Sequence, residues 1–232
     1  MAPQPREVCA RNGNPKMLRV HFQERLEEIR SDVIRMAADT NDMIRNAVEA
    51  TLQGDTALAS QVIAADDRVD DYERTILDKT LVAVMQESPV AADLRFLIST
   101  FGIVGEIEKA GDDAVKLARR ATKLSGQFPP EMRVALLELG EQARIAFNGA
   151  IRLYSEFSED FATELILGDK AIDGAYSRAR NRVFELIKAN PEATEHLVRT
   201  IEAFHALEHV ADHSVAIAIR MRMLHSAPRK ID

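Results

Sequence analysis

From Leu18 to about Gln53, Leu26, Ile29, Val33, Ile34, Met36, Ala37, Met43, Ile44, Ala47 and Leu52 recur at three- and four-residue steps. That spacing paints one face of a helix. Gly54-Asp55 stops it, with Asp55 placed to cap a second helix from Thr56 to about Glu87. Ser88-Pro89 is a start signal for a third, from Val90 to about Leu124. Ser125-Gly126-Gln127-Phe128-Pro129-Pro130 then breaks the pattern and marks a boundary.

The pattern beyond that boundary repeats the plan. Leu136, Leu137, Leu139, Ala143, Ile145, Ala146, Ala150, Ile151 and Leu153 supply a helix from about Glu131 to Phe157. Ser158 caps the next, from Glu159 to Ala189, and Asn190-Pro191 caps the last, from Glu192 to about His225. No stretch alternates with the period of two that a half-buried strand requires. A helix of roughly 33 residues is about 50 Å long at about 1.5 Å per residue. Six such helices with short loops predict an all-α fold of two antiparallel three-helix bundles, end to end or side by side.

The halves are copies of one another. Glu108, Asp112, Val115, Ala118 and Arg120 recur as Glu208, Asp212, Val215, Ala218 and Arg220, one hundred residues later. Upstream, Asp66 and Asp70 recur as Asp169 and Asp173 at an offset of 103, so about three residues of loop separate the two alignments. The chain is an internal duplication in which each copy carries two acidic pairs spaced i,i+4. The predicted units are a leader at 1–16, read as disordered, a first bundle at 17–125 and a second at 130–228.

Composition narrows the class. The 232 residues are 46% hydrophobic but only 5% aromatic, without Trp, and carry just 10 Gly and 8 Pro, which suits long helices. The single cysteine, Cys9, rules out an intramolecular disulfide. Phe96 to Gly105 is the longest uncharged stretch of note, well short of the roughly 20 apolar residues a membrane helix needs. The leader has no apolar signal-peptide core, which points to the cytoplasm. A net charge of −7 argues against nucleic acid as a partner.

Residues i and i+4 project from one helix face. Asp66 and Glu108 each lie roughly 20 residues from the turn at Ser88-Pro89, so antiparallel neighbours bring Asp66, Asp70, Glu108 and Asp112 to one level. Asp169, Asp173, Glu208 and Asp212 do the same in the second half. Solvated charge or salt bridges to the many Arg and Lys would account for any single pair, because this composition places acids four apart about six times by chance. Retention of both pairs in both copies favours metal binding, since like charges at about 4 Å repel by about 1 kcal/mol even in water. Carboxylate ligation suits hard or borderline cations, with Fe, Mn and Mg as candidates and more than one ion per half within reach of bridging carboxylates.

His205, His209 and His213 form an i, i+4, i+8 stripe, but the first copy has Gly105, Lys109 and Asp113 there, which reads as a local surface feature. Glu202 and His205 make one Glu-x-x-His element, and no second one completes the di-iron set of a ferritin-like bundle. Met36, Met43, Met85, Met221 and Met223 read as core or edge filler, and Gly102 and Gly105 as close helix contacts. No nucleophile with an adjacent base and no phosphate loop is present, so no catalytic residue is assigned.

Glu108-x-x-x-Asp112 and Glu208-x-x-x-Asp212, with Asp66-x-x-x-Asp70 and Asp169-x-x-x-Asp173 on the preceding helices, resemble the PhoU family over about Met17 to Ala227. Ala92-Asp93-Leu94-Arg95 is similar to a segment of that family's first repeat. Lys109 and His209 depart from the Arg that commonly follows the glutamate in relatives. The resemblance implies a non-enzymatic regulator that restrains phosphate-specific uptake and the phosphate-starvation response. It implies contacts with the ATPase subunit of the phosphate ABC transporter and with a phosphate-sensing histidine kinase, homodimerisation, and at most peripheral association with membrane. It also implies a multinuclear metal cluster on the eight carboxylates, Fe first, with Mn, Mg or Zn as alternatives. The competing reading is a carboxylate-bridged bundle of ferritin-like type, acting as a metal store or oxidoreductase.

Overall fold

Periodicity of three and four yields helices throughout the computed structural model, which describes residues 15–87, 89–124 and 128–226. They are α1 (Pro15–Gln53), α2 (Thr56–Glu87), α3 (Ala91–Leu124), α4 (Arg133–Ser155), α5 (Glu159–Ala189) and α6 (Thr194–His225). Among the described residues there is no strand, and no helix is long and apolar enough to cross a membrane.

Where a side chain caps a helix, the expected boundary holds. Asp55 Oδ1 accepts from the N–H groups of Ala57 and Leu58, each at 2.9 Å, and Gly54 takes the left-handed φ of 67° that ends α1. Ser158 Oγ accepts from the Phe161 N–H at 3.3 Å. Asn190 does not cap in this way: its side chain makes no capping bond, and Pro191–Ala193 forms a 3-10 turn before α6 begins at Thr194. A matching turn at Pro130–Met132 delays α4 to Arg133, and α4 ends at Ser155 rather than Phe157. Val90 opens α3 through its carbonyl, which accepts from the Leu94 N–H at 2.9 Å. The expectations for Ser88, for Ser125–Gln127 and for residues 1–14 of the leader lie outside the described residues, whereas Pro15 and Lys16 already belong to α1.

The bundles lie side by side. The two central helices, α3 and α6, pack against each other as well as against the other two helices of their own half, and α1 also meets α4. A single apolar core therefore runs through both halves, with Ile29, Met36, Ile44, Leu97, Ile107, Phe147 and Phe204 fully buried. Each such side chain contributes about 1.5–3 kcal/mol through burial. Gly140 allows α4 to close on α1; a Cβ there would fall 2.9 Å from Val48 Cγ2. Ile34, Leu137 and Ile145 continue the apolar periodicity but are exposed, 42%, 53% and 63%. Met36, Met43 and Met221 are core, while Met85 and Met223 are exposed.

The central pair runs antiparallel. Glu106 meets His213 and Arg220, while Arg120, further along α3, meets Glu202, nearer the start of α6. Residue numbers thus rise on one helix as they fall on the other. Repeat-related Gly111 and Ala211 sit near the midpoint of this register, so the halves are related by an approximate twofold axis. Gly102 does receive a neighbour, the Arg220 guanidinium, but Gly105 has only Glu73 Oε1, 4.0 Å from where its Cβ would be. Gly105 is therefore not a close helix contact.

Candidate metal centre

In the first half α2 presents Asp66 and Asp70, and α3 presents Glu108 and Asp112, all four half-buried. Gly111 brings the backbones close at this level, since a Cβ there would lie 3.5 Å from Val69 and 3.9 Å from Asp66 Oδ1. The carboxylates feel one another. Burial, then the charges of Asp112, Glu73, Asp70 and Asp66, push Glu108 up to about 7. Burial, then Asp70 and Asp112, raise Asp66, against the pull of Arg119. Glu73 is a fifth member that the motif did not reveal, raised by burial and by Asp70. It lies three residues beyond Asp70, one helical turn along the same face.

The second half is built differently. One carboxylate oxygen from each of Asp169, Asp173 and Asp212 lies within 4.8 Å of the others. Asp169 Oδ1 is buried and accepts no hydrogen bond among the described residues, which is costly for a charged acceptor unless a cation satisfies it. Burial first, then Asp173 and Asp212, raise Asp169. Glu208 does not join this trio at the same range. Its carboxylate groups instead with His205 and His209, and burial followed by Asp212 raises it above the ordinary glutamate range. The donor set, oxygen-rich with an orphaned buried oxygen, fits a hard or borderline cation.

On the opposite side of α3 lies a network that the acid motif missed. Glu106 and Asp113, two helical turns apart, both face α6. His213 bridges them, with Nδ1 2.9 Å from Glu106 Oε2 and Nε2 3.3 Å from Asp113 Oδ2. Arg220 donates to Glu106 at 3.1 Å, and Lys116 to Asp113 at 2.8 Å. His213 is therefore not a surface feature; it ties the two halves together. The spacing of seven between Glu106 and Asp113, which puts both on one helix face, was the available signal. Glu202, the acid of the single Glu-x-x-His element, pairs with Arg120 at 2.8 Å. The acidic pairs lie outside the apolar core, whereas ferritin-like sites project into it.

Two fused three-helix bundles, with paired carboxylates repeated between the outer and central helix of each, define a class of duplicated helical proteins with acidic faces. The PhoU domain model matches residues 33–121 and 136–221, once in each half, and the chain belongs to that family. The phosphate-specific transport system accessory protein PhoU homologue of Pseudomonas putida is 30% identical, over 83% of this chain and 76% of its own. The Pseudomonas aeruginosa homologue is 30% identical over 85% and 82%. The crystal structure of PhoU from P. aeruginosa matches with a TM-score of 0.84 at 30% identity, covering 88% of this chain and 98% of that one. The phosphate transport system regulatory protein PhoU of Streptococcus pneumoniae matches at 0.82 with 20% identity, a likeness of fold.

Proposed function

We propose that this chain is a non-enzymatic regulator of phosphate homeostasis that restrains phosphate-specific uptake and the phosphate-starvation response. The observation that carries this reading is the match, over most of both chains, to accessory proteins of phosphate-specific transport systems. It acts in the cytoplasm, through contacts with the ATPase subunit of the phosphate ABC transporter and with a phosphate-sensing histidine kinase, as a homodimer peripheral to the membrane. Long helices with little loop suit such work, because they offer broad side-on surfaces to partners.

The carboxylates Asp66, Asp70, Glu108, Asp112, Asp169, Asp173, Glu208 and Asp212 would hold a multinuclear cluster, Fe first, with Mn, Mg or Zn as alternatives. Support comes from the raised pKa values of Asp66, Glu108, Asp169 and Glu208 and from the partnerless Asp169 oxygen. A cation on these groups supplies the positive charge that relieves their repulsion and sets the charge of the face presented to a partner.

The test is phosphatase reporter activity in high phosphate, in a host lacking its own copy of this gene. The host carries either this protein or a variant with Ala at Glu108, Asp112, Glu208 and Asp212. Repression by the first and not by the folded second is the expected result. Absence of repression by both would sink the regulatory reading.

A further inference from the structure

We propose that the second half carries a mononuclear site for a borderline divalent cation such as Zn2+ or Co2+, held by His205, Glu208 and His209. All three residues stand on one turn of α6, and their ligand atoms lie within 4.8 Å of one another. His205 Nε2 is 3.9 Å and His209 Nε2 is 4.0 Å from the same oxygen, Glu208 Oε2. Tetrahedral ligation at about 2.0–2.2 Å per bond places donors about 3.3–3.6 Å apart, so each imidazole need approach Glu208 by only about 0.3–0.7 Å. The two imidazoles can make that shift, because their side chains are 50% and 40% exposed. Glu208 is the fixed element, with a side chain only 18% exposed.

A second feature stands behind one ligand. His209 turns its other nitrogen, Nδ1, towards Asp113 Oδ2 at 3.7 Å. Asp113 is 1% exposed and is itself held by Lys116 and His213. At 3.7 Å the His209–Asp113 contact is an ion-pair approach rather than a hydrogen bond, and a small ring shift on taking an ion would convert it to the carboxylate–histidine–metal arrangement that fixes a ligating imidazole's tautomer. The Tyr176 ring, 5.8 Å from that of His205, covers one flank. The fourth position is open to solvent or to a partner's side chain.

The first half cannot reproduce the site. Its equivalents of His205 and His209 are Gly105 and Lys109, and the Lys109 ammonium, 3.6 Å from Glu106, would repel a cation. The stoichiometry is therefore one such ion per chain. Two nitrogens and one oxygen favour Zn2+, Co2+ or Ni2+ over Mg2+, so this site differs in metal preference from the all-carboxylate groups. It shares Glu208 with the cluster under Proposed function but does not rest on it. Its test reads metal in purified protein, so a failure of regulation in cells leaves it standing.

The full chain, stripped with chelator, is titrated with Co2+ and followed by visible absorption. One equivalent should give the intense band of a four- or five-coordinate ion with nitrogen ligands, and Zn2+ should displace it. His205→Ala and His209→Ala should each lose the band and weaken binding at least about tenfold, with His209→Gln as a second variant and circular dichroism as the check on folding. The triple variant Asp169→Asn, Asp173→Asn, Asp212→Asn should keep it. A wild-type spectrum showing only weak six-coordinate absorption, or unchanged Co2+ binding in the histidine variants, overturns the site.

Discussion

His213 Nδ1 lies 2.9 Å from Glu106 Oε2, joining α6 of the second half to α3 of the first. Burial alone would lower the His213 pKa, but hydrogen bonds to Asp113 and Glu106 outweigh it and leave the group raised. Burial alone would raise Glu106 and Asp113, but bonds from His213 with Arg220, and from His213 with Lys116, leave both lowered. Raised His213 contributes stability that is fully present below its usual 6.5 and is lost as pH rises through the folded value. The lowered acids contribute stability present above their usual 4.5 and 3.8, lost as pH falls through their folded values. The contact between halves is thus strongest between about pH 4.5 and 6.5. His213→Ala should cost about 2 kcal/mol at pH 6, as expected for charge-assisted bonds, and less at pH 9. Denaturant unfolding at both values checks this.

Glu108 adds a second loss of stability with rising pH in metal-free protein, opposite in sign to that of the lowered acids Glu106 and Asp113. With its pKa pushed up to about 7, the folded state holds a proton that the unfolded chain has released. Stability should therefore fall as pH rises from about 4.5 through 7. Glu108→Gln removes the repulsion and should stabilise the chelator-treated protein by about 1 kcal/mol at pH 8, with little effect at pH 5. An equal loss of stability from pH 5 to pH 8 in both proteins would count against the coupling.

Metal loading should reverse that penalty. A cation that binds only the folded state adds about 2.7 kcal/mol at a concentration 100 times its Kd. Fe2+, Mn2+ or Zn2+ should raise the melting temperature of the purified chain. A variant with Asn at Asp66, Asp70, Asp169 and Asp173 should shift far less, as read by differential scanning calorimetry.

Gly140→Ala separates backbone propensity from packing. Ala gains up to about 1 kcal/mol of helix propensity over Gly. The new Cβ, however, would sit 2.9 Å and 3.2 Å from the two γ-carbons of Val48. Val48 is β-branched, 8% exposed and stiff about χ1, and overpacking costs about 1–3 kcal/mol. The single change should destabilise by about 1 kcal/mol, and the same change in a Val48→Ala background should be neutral or stabilising. A double-mutant cycle measures the difference.

The helices were legible in the sequence because apolar spacing reports helical phase directly. Asp55 and Ser158 gave sharp boundaries because each makes the cap with its own side chain. Asn190 misled for the converse reason: the 3-10 turn after it satisfies the backbone without its amide. Phase does not say which neighbour a face will meet, so Ile34, Leu137 and Ile145 fit the stripe yet end exposed. Repetition exposed Asp66, Glu108 and their partners. It hid Glu106, whose counterpart is Ala206, and Asp113, whose counterpart is His213. Those residues act across the two halves, where each needs something its own copy lacks.

The antiparallel register of α3 and α6 gives the chain the interface of a twofold dimer built within one polypeptide. In a true homodimer any substitution appears on both sides of the axis at once. Here the join between Leu124 and Phe128 releases that constraint and makes association of the halves independent of concentration. Glu202 can therefore meet Arg120 while Arg220, its repeat counterpart, lies over Gly102 and turns to Glu106. Tethering is what lets one copy acquire a chemistry that the other does not share.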